Sequence, residues 1–254
     1  MSLVFPYTFV PWFRSVAPYI HAYRGKTFVV ALAGEAVAAG KLNSFVQDLS
    51  ILHAMGIKIV LVHGFRPQVN EQLAAKGHHS KFSHGMRITD PFALDCAQEA
   101  AGQLRFEIEA AFSQGLPNTP MANAAVRVVS GNFLTARPVG IVDGIDFQHS
   151  GIVRKVDAAS IRRSIDSGSV VLLSPFGFSP TGEAFNLSME DVATSTAICP
   201  LVKAAITAAF SVLVMRPCNR PTTHPGSAAL NCWWVAVAFC RSTCSDSSIN
   251  GHTQ

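Results

Sequence analysis

A buried strand that turns at glycine into a new helix constrains the fold of this 254-residue chain more than any other feature. Apart from Lys58, the residues from Ile57 to Val62 are apolar and branched, and they lie between Gly56 and Gly64, which is typical of a strand covered on both faces. Pro67 follows, and proline is well tolerated in a first helical turn. Such a turn exposes backbone N–H groups at the carboxyl edge of a sheet, where a carboxylate or phosphate can bind. On these residues alone, an ordinary strand–turn–helix connection is the simpler interpretation.

The rest of the sequence alternates between helical and strand patterns. Apolar residues at three- and four-residue spacing predict helices over Leu42–Met55 and Pro91–Phe112. Strands are predicted over Ala125–Val129 and Gly168–Leu173. This alternation favours an α/β fold, a three-layer sandwich with a mostly parallel sheet between helices.

Several blocks of sequence, in one order, resemble the amino-acid kinase family, whose members carry a VHGGGP-type turn where this chain has Val62–Pro67. The other blocks are Pro18–Ile20 with Arg24–Glu35, then Gly85–Asp90, Val153–Asp157, and Ser174–Gly177 leading to Phe185–Ala193. Within that family the chain resembles the kinase-like domain of the N-acetylglutamate synthases, over roughly residues 5–198. The resemblance implies an amino-acid kinase-like fold, truncated where the resemblance ends near Ile198.

Two departures from the kinase pattern imply that phosphate is not transferred. Kinases of this type carry a lysine in the first strand, in a pattern like V-I-K-x-G-G, and it reaches the phosphates of ATP; here Ala31 occupies that position. Phosphoryl transfer depends on positioned cations, and alanine supplies none. The triple-glycine turn is changed to Gly64-Phe65-Arg66. The resemblance therefore implies a regulatory and assembly domain.

The resemblance also implies what the full-length family does: it transfers acetyl from acetyl-CoA to L-glutamate, the first step of arginine biosynthesis. That chemistry lies in a separate acetyltransferase domain, which binds acetyl-CoA at a turn reading Arg/Gln-x-x-Gly-x-Gly/Ala. Only Arg137–Val142 approaches this pattern, and Val142 breaks the final small position. We therefore expect no cofactor, no catalytic residue and no activity in this chain alone. The alternative is a non-catalytic amino-acid-binding or assembly module, and an acetyltransferase reading frame in the DNA past codon 198 would decide against it.

The resemblance assigns remnants of a substrate pocket, namely Gly64, Phe65, Arg66, Arg87, Asn186 and Glu190. Arg87 matches the arginine that holds a substrate carboxylate; a turn arginine paired with Asp90 is the open alternative. Asn186 matches a substrate-contacting asparagine, and Glu190 lies where kinases place an organising aspartate. Without the lysine, both are expected to be relics or structural.

The N-terminal arm is expected to serve assembly and regulation. Phe9, Phe13, Val16 and Ile20 recur at helical spacing, which predicts a short amphipathic helix. In relatives that are sensitive to L-arginine, the expected feedback effector, such an arm packs on a neighbouring subunit, so a homo-oligomer is expected. Tyr19 matches the arm's contribution to the arginine site, whose other wall comes from beyond Ile198.

The charges and histidines exclude several classes of function. His63 ends a buried strand and is predicted to be a hydrogen-bonded core residue. His78, His79 and His84 lie in a polar loop without nearby cysteines, which argues against a metal site. The net charge of +4 is not concentrated in one stripe, so no nucleic-acid partner is expected.

The composition changes abruptly after Ile198. Residues 1–198 hold 16 Lys+Arg and 15 Asp+Glu, whereas 199–254 hold four basic residues, one acidic residue and five of the six cysteines. We therefore predict an arm (1–23), an incomplete kinase-like domain (24–198), and an unrelated tail (199–254) that is disordered or out of frame and leaves a sheet edge unpaired. The spacing of Cys240 and Cys244, near His252, does not indicate zinc. No apolar run in the tail reaches the roughly 20 residues of a membrane span, and no signal-peptide pattern is present, so a cytoplasmic location is expected.

Overall fold

The computed structural model describes residues 9–115, 126–199, 211–217 and 233–239, the last two stretches by backbone alone. The described elements are, in chain order, α1 (Phe9–Tyr23), β1 (Thr27–Leu32), α2 (Gly34–Ala38), α3 (Leu42–Ala54), β2 (Lys58–His63), α4 (Arg66–Ala75), β3 (Lys81–Ser83), β4 (Met86–Ile88), α5 (Pro91–Ser113), β5 (Val128–Ser130), β6 (Leu134–Pro138), β7 (Ile141–Val142), β8 (Ile145–Asp146), β9 (Gly151–Val156), α6 (Ala158–Asp166), β10 (Val170–Leu173), β11 (Phe176–Phe178), β12 (Ala184–Asn186), α7 (Met189–Ile198), β13 (Ser211–Pro217) and β14 (Trp233–Phe239).

The main sheet has the order β14-β13-β1-β2-β10-β5. Its strand pairs are parallel apart from β13 with β14, which is antiparallel. The strand predicted over Ile57–Val62 is β2, and it lies between β1 and β10 with Ile59 to His63 fully buried. A second, smaller sheet has the order β12-β11-β6-β9.

Helices cover both faces of the main sheet, as predicted. On one face, Val30 and Leu32 of β1 pack with Phe45 of α3 and Phe112 of α5. On the other face, alternate residues of the same strands pack against α6, α7 and the second sheet, and Ala31 belongs to this face. The α/β three-layer fold with a mostly parallel sheet is therefore confirmed.

The predicted elements agree with the structure within a few residues. The helices predicted over Leu42–Met55 and Pro91–Phe112 are α3 and α5, and the strand within Gly168–Leu173 is β10. The arm forms α1, which continues to Tyr23. Residues 1–8 and Ala125, at the start of the predicted strand, lie outside the described residues.

The edge of β1 differs from the expectation of an unpaired strand. β13 pairs with β1 from Val29 to Leu32, and β14 then pairs with β13 along seven residues on each strand. The segment predicted to be an unrelated tail therefore contributes two strands to the sheet where the structure describes it. Cys240, Cys244 and His252 lie outside the described residues, and the three-part division of the chain remains a prediction.

None of the helices that the structure describes is both long enough and apolar enough to cross a membrane.

Candidate functional site

A cavity of about 310 Å³ lies at the carboxyl edge of the main sheet. This is the size of site that holds small molecules, for which roughly 300 to 1,000 Å³ is usual. The ends of β1, β2 and β10, the β3–β4 hairpin and the start of α7 form its walls, through Ala33, Gly34, Glu35, Gly64, Phe65, Arg66, Gly85, Met86, Arg87, Ser150, Gly151, Pro175, Asn186, Leu187, Ser188, Met189 and Glu190. All six predicted pocket residues are among them.

The glycine turn after β2 is held tightly against the end of β1. The N–H of Gly64 donates to the carbonyl of Leu32 at 2.7 Å. A Cβ on Gly64 would lie 3.2 Å from the backbone nitrogen of Gly34 and 3.2 Å from the sulfur of Met189. The two turns can approach this closely because both residues lack a side chain.

Phe65 and His63 fill the interior beside this turn. Phe65 precedes α4, is buried among apolar residues of α4 and α5, and also contributes to the cavity lining. His63 is fully buried, and its Nε2 lies 2.7 Å from the hydroxyl of Ser174. Burial lowers the pKa of His63 to about 4, against a smaller opposing effect of the neighbouring Gly64 backbone. The predicted hydrogen-bonded core histidine is confirmed.

Arg87 is a buried cation held by neutral groups. It is 8% exposed, its guanidinium donates to Oδ1 of Asn70 at 2.8 Å and to the hydroxyl of Ser80, and it lies 5.0 Å from the ring centre of Phe82. The alternative pairing with Asp90 is wrong, because the Asp90 carboxylate instead accepts from the N–H of Ala93 and contacts His78. Within the described part of the chain, no carboxylate lies within ion-pair distance of Arg87.

A second arginine adds positive charge to the same wall. The Arg66 guanidinium lies 6.0 Å from the ring centre of Phe82, the ring that Arg87 also approaches. Burial first, and then the charge of Arg66, lower the pKa of Arg87 to about 10. Arg87 is thus still a cation at neutral pH, in a positively charged part of the cavity.

Two carboxylates and an amide complete the polar lining. Glu190 lies in the first turn of α7, which Ser188 caps by accepting from the N–H of Asp191 at 3.0 Å. Glu35 lies in the first turn of α2. Asn186 ends β12, and its amide donates to the hydroxyl of Thr89 at 3.1 Å.

Sequence reasoning missed Ser150, which is 4% exposed and lines the cavity. It immediately precedes β9, outside every block of the resemblance, so no motif pointed to it. The neighbouring residue, Gly151, is constrained by its contact with Phe185. A Cβ there would lie 2.7 Å from the Cβ of Phe185, so this position requires glycine.

Tyr19 is the one predicted site residue that lies away from the cavity. It is in α1 and is 65% exposed. The structure therefore places the predicted effector residue and the predicted pocket remnants in two separate regions.

The end of β1 lacks the cation that a phosphate site would need. Ala31 is fully buried in the apolar cluster that includes Val192 and Ala193 of α7, so the first strand carries no cation there. A Cβ on Gly34 would lie 2.8 Å from Oε1 of Gln68 and 2.9 Å from Cδ of Pro67, so the start of α4 already occupies that side of the glycine.

The segment Arg137–Val142 does not fit coenzyme A either. A pyrophosphate-binding turn leads from a strand into a helix. Here Arg137 lies in β6, Gly140 has a φ of 80°, and the chain continues into the β7–β8 hairpin. This resolves the partial sequence match as a chance one.

The polar loop of histidines forms surface contacts. His78 Nε2 lies 2.9 Å from Oδ2 of Asp90, and His84 Nε2 lies 3.0 Å from Oδ2 of Asp143. In the described ranges, no group of three or more His, Cys, Asp or Glu side chains could hold a metal ion.

Sequence comparison finds relatives of this chain among the amino-acid acetyltransferases. The chain is 65% identical over 189 residues to an amino-acid acetyltransferase of Ralstonia nicotianae, a match that covers 74% of this chain and 42% of that protein. It is 50% identical over 190 residues to an amino-acid acetyltransferase of Ectopseudomonas mendocina, covering 75% and 44%. The chain thus spans less than half the length of these relatives.

A solved structure shows the same fold. N-acetylglutamate synthase from Neisseria gonorrhoeae, complexed with coenzyme A and L-arginine, superposes with a TM-score of 0.69 at 40% identity, over 76% of this chain and 45% of that one. The complex of that protein with coenzyme A and N-acetyl-glutamate gives 0.67. Residues 26–206 match the amino acid kinase family. This chain therefore belongs to the amino acid kinase family.

Proposed function

We propose that this chain is the kinase-like part of an N-acetylglutamate synthase and that it does not transfer phosphate. The whole-protein reaction is the transfer of acetyl from acetyl-CoA to L-glutamate, in arginine biosynthesis. The names of the relatives, and the coenzyme A and N-acetyl-glutamate in the solved Neisseria gonorrhoeae structure, support this assignment. The observation that carries it is Ala31, which is buried among apolar side chains where a kinase needs a cation.

Two turnover assays on the purified chain test the absence of phosphate and acetyl transfer. We expect no ADP from ATP with N-acetyl-L-glutamate, and no free coenzyme A from acetyl-CoA with L-glutamate. Turnover in the first assay would contradict our interpretation of Ala31. Turnover in the second would contradict our interpretation of the Arg137–Val142 segment.

A chimera tests the link to acetyl transfer directly. The matched segment of the Ralstonia nicotianae relative, 189 residues long, is replaced by the corresponding residues of this chain. We expect the chimera to transfer acetyl to L-glutamate, because a domain of the same fold is exchanged. A soluble, folded chimera without activity would contradict the proposal.

We also propose that the chain assembles as a homo-oligomer through α1, in the cytoplasm, with L-arginine as the effector of the whole protein. Support for assembly comes from the apolar surface of this helix, where Trp12 is 59% exposed and Phe13 49% exposed. Support for the effector comes from the L-arginine in the Neisseria gonorrhoeae structure. Sedimentation of the full chain, compared with a Trp12→Ser variant, tests the assembly.

A second function is favoured by Arg87, namely that the cavity binds a small carboxylic acid without reacting with it. Among the residues that the structure describes, Arg87 is buried beside neutral acceptors and another guanidinium and has no partner of opposite charge. A buried charge without such a partner is costly. A carboxylate ligand would supply that partner and accept a two-pronged hydrogen bond.

Calorimetric titration with N-acetyl-L-glutamate tests this second function. We expect saturable binding by the wild-type chain, and a loss of at least about tenfold in affinity for Arg87→Met, since a charge-assisted hydrogen bond is removed. Arg105→Met is the matched control, because Arg105 is an exposed arginine of α5 paired with Glu109 at 2.9 Å. Equal affinities in the two variants would contradict the role of Arg87.

A further inference from the structure

The hydroxyl of Ser150 lies between the arginine wall and the asparagine wall of the cavity. Its single hydrogen donates to the carbonyl of Arg87 at 2.5 Å. Its oxygen accepts from the N–H of Thr89 at 3.1 Å and from the hydroxyl of Thr89, whose oxygen lies 2.8 Å away. Thr89 is fully buried and Ser150 nearly so. One hydroxyl group therefore binds the main chain of both Arg87 and Thr89, on either side of Ile88, where β4 ends.

Thr89 passes this constraint to Asn186. Its hydroxyl oxygen accepts from the amide nitrogen of Asn186 at 3.1 Å. An asparagine amide has a donor end and an acceptor end, so this bond turns the nitrogen towards Thr89 and the oxygen away from it. Without the Thr89 hydroxyl, nothing in this contact decides which end of the amide faces the cavity.

The backbone beside Ser150 supports the same two strands. The N–H of His149 donates to the carbonyl of Thr89 at 3.0 Å, and the carbonyl of His149 accepts from the N–H of Asn186 at 2.9 Å. His149 and Ser150 thus join the end of β4 to the end of β12. These elements are far apart in sequence, and each contributes one polar side chain to the cavity.

We propose that Ser150 and Thr89 are positioning residues for the ligand of the cavity: they hold Arg87 and Asn186 in the one arrangement that binds a carboxylic acid. Buried hydroxyl networks of this kind hold their members in place when every member is bonded. This inference rests on the proposed acid-binding function. It adds Ser150, which lies outside every block of the resemblance, and Thr89, which lies in the Gly85–Asp90 block but has no role assigned there.

The test uses paired variants of the full chain. Ser150→Ala removes the central hydroxyl, and Ser50→Ala is its control, because Ser50 is an equally buried serine that donates to Val46 within α3 at 2.8 Å. Thr89→Val removes a hydroxyl at nearly constant shape, whereas Thr89→Ser keeps the hydroxyl and loses a methyl group. Each variant is measured by titration with N-acetyl-L-glutamate, by amide hydrogen exchange and by its unfolding midpoint in urea.

We expect Ser150→Ala and Thr89→Val to weaken binding by about tenfold, the effect of one or two lost hydrogen bonds, and to speed exchange at the amides of Thr89 and Asn186. Ser50→Ala should leave both readouts unchanged, and Thr89→Ser should restore the affinity lost in Thr89→Val. If Thr89 acted by packing alone, Thr89→Val would keep the affinity and Thr89→Ser would lose it. That result would overturn the proposal.

The acid-binding function and the positioning role of Ser150 and Thr89 can be refuted separately. A wild-type chain that binds no N-acetyl-L-glutamate refutes the proposed ligand class, and the exchange data then decide on the positioning role. Unchanged exchange at Thr89 and Asn186 in both Ser150→Ala and Thr89→Val would overturn it, whatever the binding result.

Discussion

Single residues decide what this site can do, and the sequence identified some of them better than others. Ala31 was recognisable because it departs from a motif, and its burial in an apolar cluster agrees with the expected loss of phosphate chemistry. Ser150 was not recognisable, because serine before a strand is common and its importance comes from contacts with Arg87 and Thr89, which are more than 60 positions away in sequence.

The first prediction at this scale concerns His63 and acid. The folded chain holds the pKa of His63 at about 4, below the value of 6.5 for a free side chain. Between these two values the unfolded chain binds a proton that the folded chain does not, so stability falls as the pH falls from 6.5 to 4. The free energy of unfolding should drop by up to roughly 3 kcal/mol in this window.

Urea unfolding at pH 7 and pH 5 measures this loss. His63→Gln should reduce the pH dependence of the unfolding free energy, even though it lowers stability at pH 7. His79→Gln, at an exposed histidine, should keep it. An unchanged pH dependence in His63→Gln would show that other groups cause the acid sensitivity.

Helices and strands were predicted well where hydrophobic periodicity is strong. The helix α5 begins at Pro91, as the sequence indicated, because Asp90 provides the cap and proline suits the first turn. The pairing of β13 with β1 was not predictable, since strand partners far apart in sequence depend on the whole sheet and not on local pattern.

Capping of α5 gives the second prediction. The Asp90 carboxylate accepts from the N–H of Ala93 at 2.7 Å and contacts His78. Burial alone would raise the pKa of Asp90, but the Ala93 N–H and the hydrogen bond and charge of His78 outweigh it, so the pKa is lowered. Asp90→Ala should cost about 1 kcal/mol of unfolding free energy, and Asp90→Asn, which keeps an acceptor, less. Chemical denaturation at neutral pH compares them, and equal losses would argue against the cap.

The third prediction contrasts two helical glycines. Gly34→Ala would place a Cβ within 3.0 Å of Gln68, Pro67 and Gly64, and should destabilise the chain by roughly 1–3 kcal/mol. Gly102→Ala, in the middle of α5 with nothing within 4 Å of the new Cβ, should stabilise it by about 0.5–1 kcal/mol. Thermal unfolding of both variants checks the opposite signs, and a stable Gly34→Ala protein would refute the tight contact between the two turns.

At the scale of the whole molecule, the alternation of helix and strand patterns predicted the layered fold. The six residues assigned by the resemblance line one cavity, and their role in binding remains a prediction. The sequence could not predict how the segment after Ile198 meets the sheet, because that segment carries none of the motifs of the resemblance. The role of Tyr19 in an L-arginine site also remains a prediction. The structure shows that Tyr19 lies on α1 and is exposed.

The fourth prediction is that L-arginine binds this chain very weakly or not at all. Tyr19 offers one wall of the expected site, and the sequence beyond Ile198 contains a single acidic residue, Asp246, to meet the guanidinium. A charged ligand held from one side keeps most of its hydration and gains little from an exposed contact. Calorimetric titration of the full chain with L-arginine decides this, and saturable micromolar binding would show that the site is complete.

The contact between Gly34 and Gly64 has a consequence for how this domain could change over evolutionary time. A lysine at position 31 would enter the apolar layer that Ala31 shares with Val192 and Ala193 of α7, beside a turn in which Gln68 and Pro67 already pack tightly on Gly34. Each step back towards a kinase is therefore unfavourable unless the others have already occurred. Under the proposed function, a return to phosphate transfer would need coordinated substitutions in β1, α2 and α4, because one substitution alone would disturb the packing between them.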